Sequence, residues 1–222
     1  VAKTRKVRNT SIPAKIADSI RDLISRGTLA ADVHLGQMQL AQRFGVSRVP
    51  VREALKLLAS EGLVLHDLNR GFFVASLSSD EARQLYRMRH LVEAELLNTI
   101  EWPSKEVLAD LRARVQELEK LIEEGKRAEW AARHREFHRA IFNLSPQKIL
   151  VREVLRLWTL TDRYRSLLPA QAKTEGGGSH SGERALVDAL AKRDRKRLLE
   201  VFEEDRTKVE QMLLGILDAR GL

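Results

Sequence analysis

The side chains best equipped for chemistry fall in two groups, one early in the chain and one past its middle. Arg48 and Arg52 are four residues apart, so on a helix they share one face, and Ser47 is placed to cap that helix. A guanidinium there can bond both O6 and N7 of a guanine, worth ~1–3 kcal/mol of discrimination per good pair. The free N–H groups of a helix's first turn favour a phosphate beside it. Lys56, one turn further, is better placed for a phosphate. The competing use of either arginine is an ion pair within the fold, with Glu53 or Glu61. The second group is His134-Arg-Glu-Phe-His138. Histidines four apart on a helix can chelate one cation. The competing use is a polar pair that lines a cavity or pairs with nearby carboxylates.

Three helices and a hairpin must position the first group. A helix from about Pro13 to Arg26 carries an apolar stripe of Ile16, Ile20, Leu23 and Ile24, and Gly27 stops it. A second covers about Met38 to Phe44, and a third about Arg48 to Ser60, ended by Gly62. Ala41, Gly45 and Val51 stand where a helix-turn-helix needs a small residue, a turn residue and a buried apolar residue. Val51 and Leu55 anchor the third helix from beneath. Leu63 to His66 and Phe72 to Ala75 read as two short strands joined by a turn at 67–71. Residues 36–75 therefore read as a winged helix-turn-helix, which lays its second helix in the major groove of DNA.

The rest reads as helix throughout. Ser78 and Glu81 have capping-box spacing and open a helix over 79–101, closed by Trp102-Pro103. Ser104 caps the next, to about Glu124. A helix over 127–144 carries the histidine pair. Another follows Ser145-Pro146 and runs to Leu168, before Pro169. The stretch 174–182 reads as a flexible loop, and two further helices cover 183–192 and 195–218. The expected fold is mainly α: a disordered arm over 1–10, a winged helix-turn-helix over 11–78, and an all-α helical bundle over 79–222.

Charge agrees with this division. The formal net charge is +8, and most of the excess lies in the first third of the chain, which implies a polyanion partner for that domain alone. There are no cysteines. That excludes disulfides, thiolate metal sites and cysteine nucleophiles, and suits a reducing compartment. No run of 18 apolar residues is present, and VAKTRKVRNTSIPAK lacks the apolar core of a secretory signal. The expected location is the cytoplasm, with no membrane partner.

SRVPVREALKLLASEGLV followed by NRGFFV resembles the GntR family of bacterial transcription regulators. LYRMRHLVEAELL, RHREFHRAIF and ALVDALAKRDRKRLLEVFEED resemble the FCD domain of its FadR subgroup. Together they span about residues 12–215. The resemblance implies a homodimeric repressor or activator on a palindromic operator in double-stranded DNA, with DNA affinity altered by a small molecule bound in the helical domain. It gives Ser47 and Arg48 contacts to backbone and base. It matches Arg52 to the arginine of the VRE motif and places Val49 and Pro50 towards the groove. Asn69, Arg70 and Gly71 become a wing tip entering the minor groove. Two positions depart from the pattern: Ala31-Asp32 replaces the usual Pro-Gly, and Met38 stands where an arginine or acidic residue is common.

The resemblance also implies a metal site. The usual ligands are an aspartate and three histidines, and alignment puts His134, His138, Glu183 and Asp205 at those positions, with His180 able to stand in for Glu183. This set suits zinc, nickel, manganese or iron. A metal in such domains can hold an effector carboxylate while arginines complete the clamp, for which Arg89 and Arg163 are the candidates. The expected effector is a small organic acid; Arg89 could instead pair with Glu93. Two other classes compete: a metal-dependent enzyme fused to a DNA-binding domain, and a DNA-binding protein with a purely structural helical domain. No serine or lysine nucleophile stands out, and Glu136 points off the histidine face, so catalysis is not expected.

Overall fold

The computed structural model describes residues 11–165, 167, 168 and 181–222. The arm over 1–10, Pro169, His180 and most of the glycine-rich stretch lie outside the described residues. The chain divides into two units, Val1–Ser76 and Leu77–Leu222.

In the first unit, α1 (Ile12–Ser25) opens with Pro13 in its first turn, where a missing N–H costs nothing. It buries Ile16, Ala17, Ile20 and Ile24 and packs on α3. Helix α2 (Gln37–Phe44) ends at Gly45, whose φ of 65° is left-handed; the Val46 N–H then closes back on the Ala41 carbonyl at 3.0 Å. Helix α3 (Arg48–Ser60) buries Val51, Ala54, Leu55 and Leu58. Each such side chain contributes roughly 1.5–3 kcal/mol, and together they fix which face of α3 is left outward. Ser47 occupies the N-cap position, but its hydroxyl makes no capping bond.

Strands β1 (Val64–Asp67) and β2 (Gly71–Val74) pair antiparallel, from Val64 opposite Val74 to Asp67 opposite Gly71. The other edge of β2 is covered: Leu35 N–H donates to the Phe72 carbonyl at 2.7 Å and Val74 N–H to the Val33 carbonyl at 2.9 Å. Asp32, where glycine is usual in the resembling family, takes a φ of 64°. Aspartate is among the few residues that tolerate this, and its carboxylate accepts a bond from the Ser76 hydroxyl at 2.5 Å.

The second unit is all helix in its described residues: α4 (Ser79–Asn98), α5 (Lys105–Glu123), α6 (Arg127–Phe142), α7 (Lys148–Arg165), α8 (Ser181–Lys192) and α9 (Arg195–Ala219). Ser78 caps α4 by accepting from Glu81 N–H at 3.4 Å. The helix stops at Asn98, three residues short of the expected 101. Arg195 explains the early end: its guanidinium binds the Leu97 and Ile100 carbonyls and lies 4.5 Å from the Trp102 ring, serving carbonyls that a longer helix would have used. The core joins all six helices through residues such as Leu96, Leu111, Phe137, Ile141, Val154, Leu190 and Leu198. On α4, Leu85 and Leu96 are buried, Val92 is half-buried and Leu91 is exposed. Among the described residues, no helix is long and apolar enough to cross a membrane.

Candidate functional site

The outward face of α3 presents Ser47, Arg48, Val49, Arg52 and Lys56, all exposed, with Pro50 half-buried. Both possible internal partners of the arginines are taken. Glu61 is bound by Arg21 at 2.7 Å, and Glu53 by Lys56 at 3.3 Å. Among the described residues, Arg48 and Arg52 make no ion pair. The Lys56 pair is exposed and weak, so all three cations are free to meet a polyanion.

The wing is held by its own side chains. The Asp67 carboxylate accepts from the N–H groups of Asn69 at 2.8 Å and Arg70 at 2.9 Å, and these bonds hold its pKa below the usual range. Gly71 has a φ of 96°, and a Cβ there would stand 3.2 Å from the His34 ring nitrogen. Asn69 and Arg70 are exposed, and the Arg70 guanidinium lies 5.1 Å over the Phe73 ring.

The second site is a cavity of about 30 Å³ in the helical unit. Tyr86 and Arg89 reach it from α4, His134 and His138 from α6, Trp158 and Arg165 from α7, and Asp205 and Arg206 from α9. As it stands, the space holds a water or an ion rather than an organic acid. The two Nε2 atoms of His134 and His138 are 3.1 Å apart, and a Glu183 carboxylate oxygen is 3.4 Å from that of His134. Burial pushes both imidazoles well below 6.5, so both are neutral. Asp205 is raised to about 6, by burial and then by the charge of Glu183.

Donors about 2.1 Å from one ion and 90–109° apart stand about 3.0–3.4 Å from each other. The two measured spacings fall in that range, and neutral imidazoles facing carboxylates are a suitable donor set. Still, among the described residues no three His, Cys, Asp or Glu side chains form a complete metal-holding group. The histidine pair and Glu183 form an edge of such a site, and the carboxylates would have to turn to close it.

The arginines divide differently from expectation. Arg89 lines the cavity and also pairs with Glu93 at 2.8 Å, while donating to the Thr161 hydroxyl at 2.9 Å. Glu93 is fully buried and also receives Arg206 at 2.8 Å and the Trp158 indole N–H at 2.5 Å. Arg206 donates onward to His90 Nδ1 at 3.0 Å, which leaves His90 Nε2–H to donate to Glu210 at 2.7 Å.

Arg163 does not line the cavity. It is buried against Glu81 and the Tyr164 hydroxyl. Two residues turn a helix by about 200°, so Arg165, not Arg163, shares the cavity. Among the described residues, Arg165 has no hydrogen-bond or ion-pair partner. Sequence reasoning missed it, though a signal existed: Trp158, Thr161 and Arg165 are spaced i, i+3, i+7, the phase of one inward stripe. Tyr86 was missed too. Its hydroxyl is buried without a partner among the described residues, and burial keeps it protonated.

A winged unit with free cations on its recognition helix, joined to a helical unit with a cation-lined cavity, defines a ligand-responsive DNA-binding regulator. Residues 13–74 match the family described as "Bacterial regulatory proteins, gntR family", and residues 84–204 match the FCD domain. The transcriptional repressor GlaR of Escherichia coli is 30% identical over 83% of this chain and 88% of its own. The regulator YdhC of Bacillus subtilis is 30% identical over 60% of each chain, so this chain spans less than two thirds of that relative. The structure of McbR from E. coli shares the fold, with a TM-score of 0.82 at 22% identity, covering 96% of this chain and 99% of that one. The chain belongs to the GntR family of bacterial transcriptional regulators, with an FCD domain as its helical unit.

Proposed function

We propose that this regulator binds a palindromic operator as a homodimer and that a small carboxylate in the helical cavity sets its DNA affinity. The observation that carries the effector assignment is that two donors without a hydrogen-bond partner among the described residues, the Arg165 guanidinium and the Tyr86 hydroxyl, line the same cavity. A forked cation beside a neutral hydroxyl suits a planar carboxylate. Arg89 and Arg206 add positive potential, but Arg89 is engaged by Glu93 and Thr161, and Arg206 by Glu93 and His90. His134, His138, Glu183 and Asp205 are the residues that would hold a divalent ion. Such an ion, when bound, would supply a Lewis-acidic contact for the acid. The cavity is too small for an organic acid at present, so entry requires its walls, drawn from α4, α6, α7, α8 and α9, to separate. That movement reaches the first turn of α4, where Arg163 and Tyr164 hold Glu81, four residues after the boundary between the units.

On the DNA side, Arg48 and Arg52 read base edges, Ser47 and Lys56 hold phosphates, and Val49 and Pro50 face the groove. Asn69, Arg70 and Gly71 carry the wing into the minor groove. Two-fold symmetry of a dimer matches an inverted repeat. The deciding experiment begins with elemental analysis of protein purified without chelator, where one divalent ion per chain is expected. Calorimetric titration with mono-, di- and tricarboxylic acids follows. Binding by wild type and its loss in Arg165→Ala with an unchanged circular dichroism spectrum is the expected result. No binding of any acid by metal-loaded protein would remove the effector assignment, and a monomer by light scattering would remove the dimer.

A further inference from the structure

Leu68 is the most solvent-exposed large apolar side chain of the described residues, at 89%. It sits at the tip of the wing, in a turn position where polar residues and glycine normally serve. One exposed leucine on a mobile tip would mean little. This tip is braced. The Asp67 carboxylate holds the backbone N–H groups of Asn69 and Arg70, the two residues after Leu68, Gly71 takes the left-handed conformation that closes the hairpin, and β2 is bonded along both edges. The backbone that carries Leu68 is thus fixed, and the leucine contributes nothing to the core beneath it. Beside it stand Asn69 and Arg70, exposed, one able to bond base edges and the other to enter a narrow negative groove.

We propose that Leu68 is an apolar contact of the wing with the DNA minor groove, lying against deoxyribose and base edges beside the polar contacts of Asn69 and Arg70. This rests on the DNA-binding reading of the first unit. Minor-groove proteins commonly use aliphatic side chains this way, while arginines and asparagines beside them hold the groove. The role differs physically from that of Arg70. A phosphate or groove cation releases counterions, so its loss flattens the salt dependence of binding, whereas loss of an apolar contact weakens binding equally at every salt concentration.

The experiment uses the full chain and a duplex recovered from a random pool by the wild-type protein. Dissociation constants of wild type, Leu68→Ser and Arg70→Ala are measured at several salt concentrations. Leu68→Ser should bind about tenfold more weakly throughout with an unchanged salt slope, the size expected for burying most of one leucine. Arg70→Ala should bind more weakly with a shallower slope. At 89% exposure the leucine can be replaced without unfolding the domain, which thermal melting checks. Affinity within twofold of wild type, a changed slope for Leu68→Ser, or an effect on self-association in place of DNA binding would each overturn the proposal. Failure of the wild type to select any duplex would instead count against the DNA-binding reading itself.

Discussion

Arginine does opposite work in the two units. On α3, Arg48 and Arg52 are exposed and, among the described residues, make no ion pair. In the helical unit, Arg89 and Arg206 are buried and converge on one fully buried carboxylate, Glu93. The first pair stays available because the nearby carboxylates have other partners. The second pair is consumed in joining α4 to α9, with Trp158 and Thr161 bringing in α7. Ligand binding and structural coupling thus draw on the same side chain, and the contrast lies in which carboxylates are within reach.

The largest expected effect tests the buried half of this contrast. Glu93→Gln keeps the shape of the node and leaves two buried guanidinium groups without their counter-charge. Breaking a buried pair this way costs about 3–5 kcal/mol, so urea denaturation should show the helical unit losing much of its stability. A loss below about 1 kcal/mol would mean that the node is not where the cohesion lies. Arg52→Ala should do the reverse. Stability should stay within about 0.5 kcal/mol of wild type, while operator affinity falls by about 1–3 kcal/mol and preference relaxes at one base pair. An equal loss on operator and random DNA would reassign Arg52 to phosphate.

The histidine pair offers a third test, in metal-free protein. In the unfolded chain His134 and His138 take up protons near 6.5; in the folded protein burial holds them neutral far below that. The unfolded state therefore binds more protons below about pH 6.5, and stability falls as the pH drops through that point. Asp205 opposes this. Its folded pKa is raised from 3.8 to about 6, so across that interval the folded state holds the extra proton and gains stability on acidification. Two sites that favour the unfolded state against one that favours the folded leave a net loss of stability on acidification below about pH 6. Asp205→Asn removes the opposing proton and should steepen that loss, as measured by urea denaturation at stepped pH. Parallel profiles for the two proteins would show that Asp205 does not titrate with the cluster.

What could be read from sequence follows how local each feature is. The winged unit was legible nearly to the residue because its devices are short-range: Gly45 ending α2, Val51 and Leu55 beneath α3, the glycine closing the wing. Its family and fold follow from the same stretch. The helix order of the second unit was legible from caps and proline breaks, although the end of α4 depended on Arg195, 97 positions beyond Asn98 in the chain. The cavity was harder. Its walls come from helices up to 120 residues apart, although the i, i+4 histidine pair announces itself locally. Choosing Arg163 over Arg165 was an error of helix phase, since TDRYR offers both and the inward face is set by Trp158 and Thr161. The Arg89–Glu93 pair is legible from its i, i+4 spacing, but Tyr86 and the reach of Arg206 and Trp158 to Glu93 carry no local signature, because a buried tyrosine or a distant partner reads the same from sequence whether or not it borders a cavity.

Arg165 is the residue that can break the division between the units, because it lies in the helical cavity yet is uncommitted like the arginines of α3. If commitment rather than location decides an arginine's role, Arg165→Ala should change stability by less than about 0.5 kcal/mol, in contrast to Glu93→Gln in the same unit. Its charge favours ionised Asp205, while the folded histidines stay neutral well below pH 6.5, so the small residual loss should be larger at pH 8, where Asp205 is ionised, and shrink as the pH falls through about 6, where Asp205 takes up its proton. Chemical denaturation at pH 8 and pH 6 separates these terms. A loss of more than about 2 kcal/mol at pH 8 would show that Arg165 is structural after all, and that the cavity has no cation to spare for a ligand.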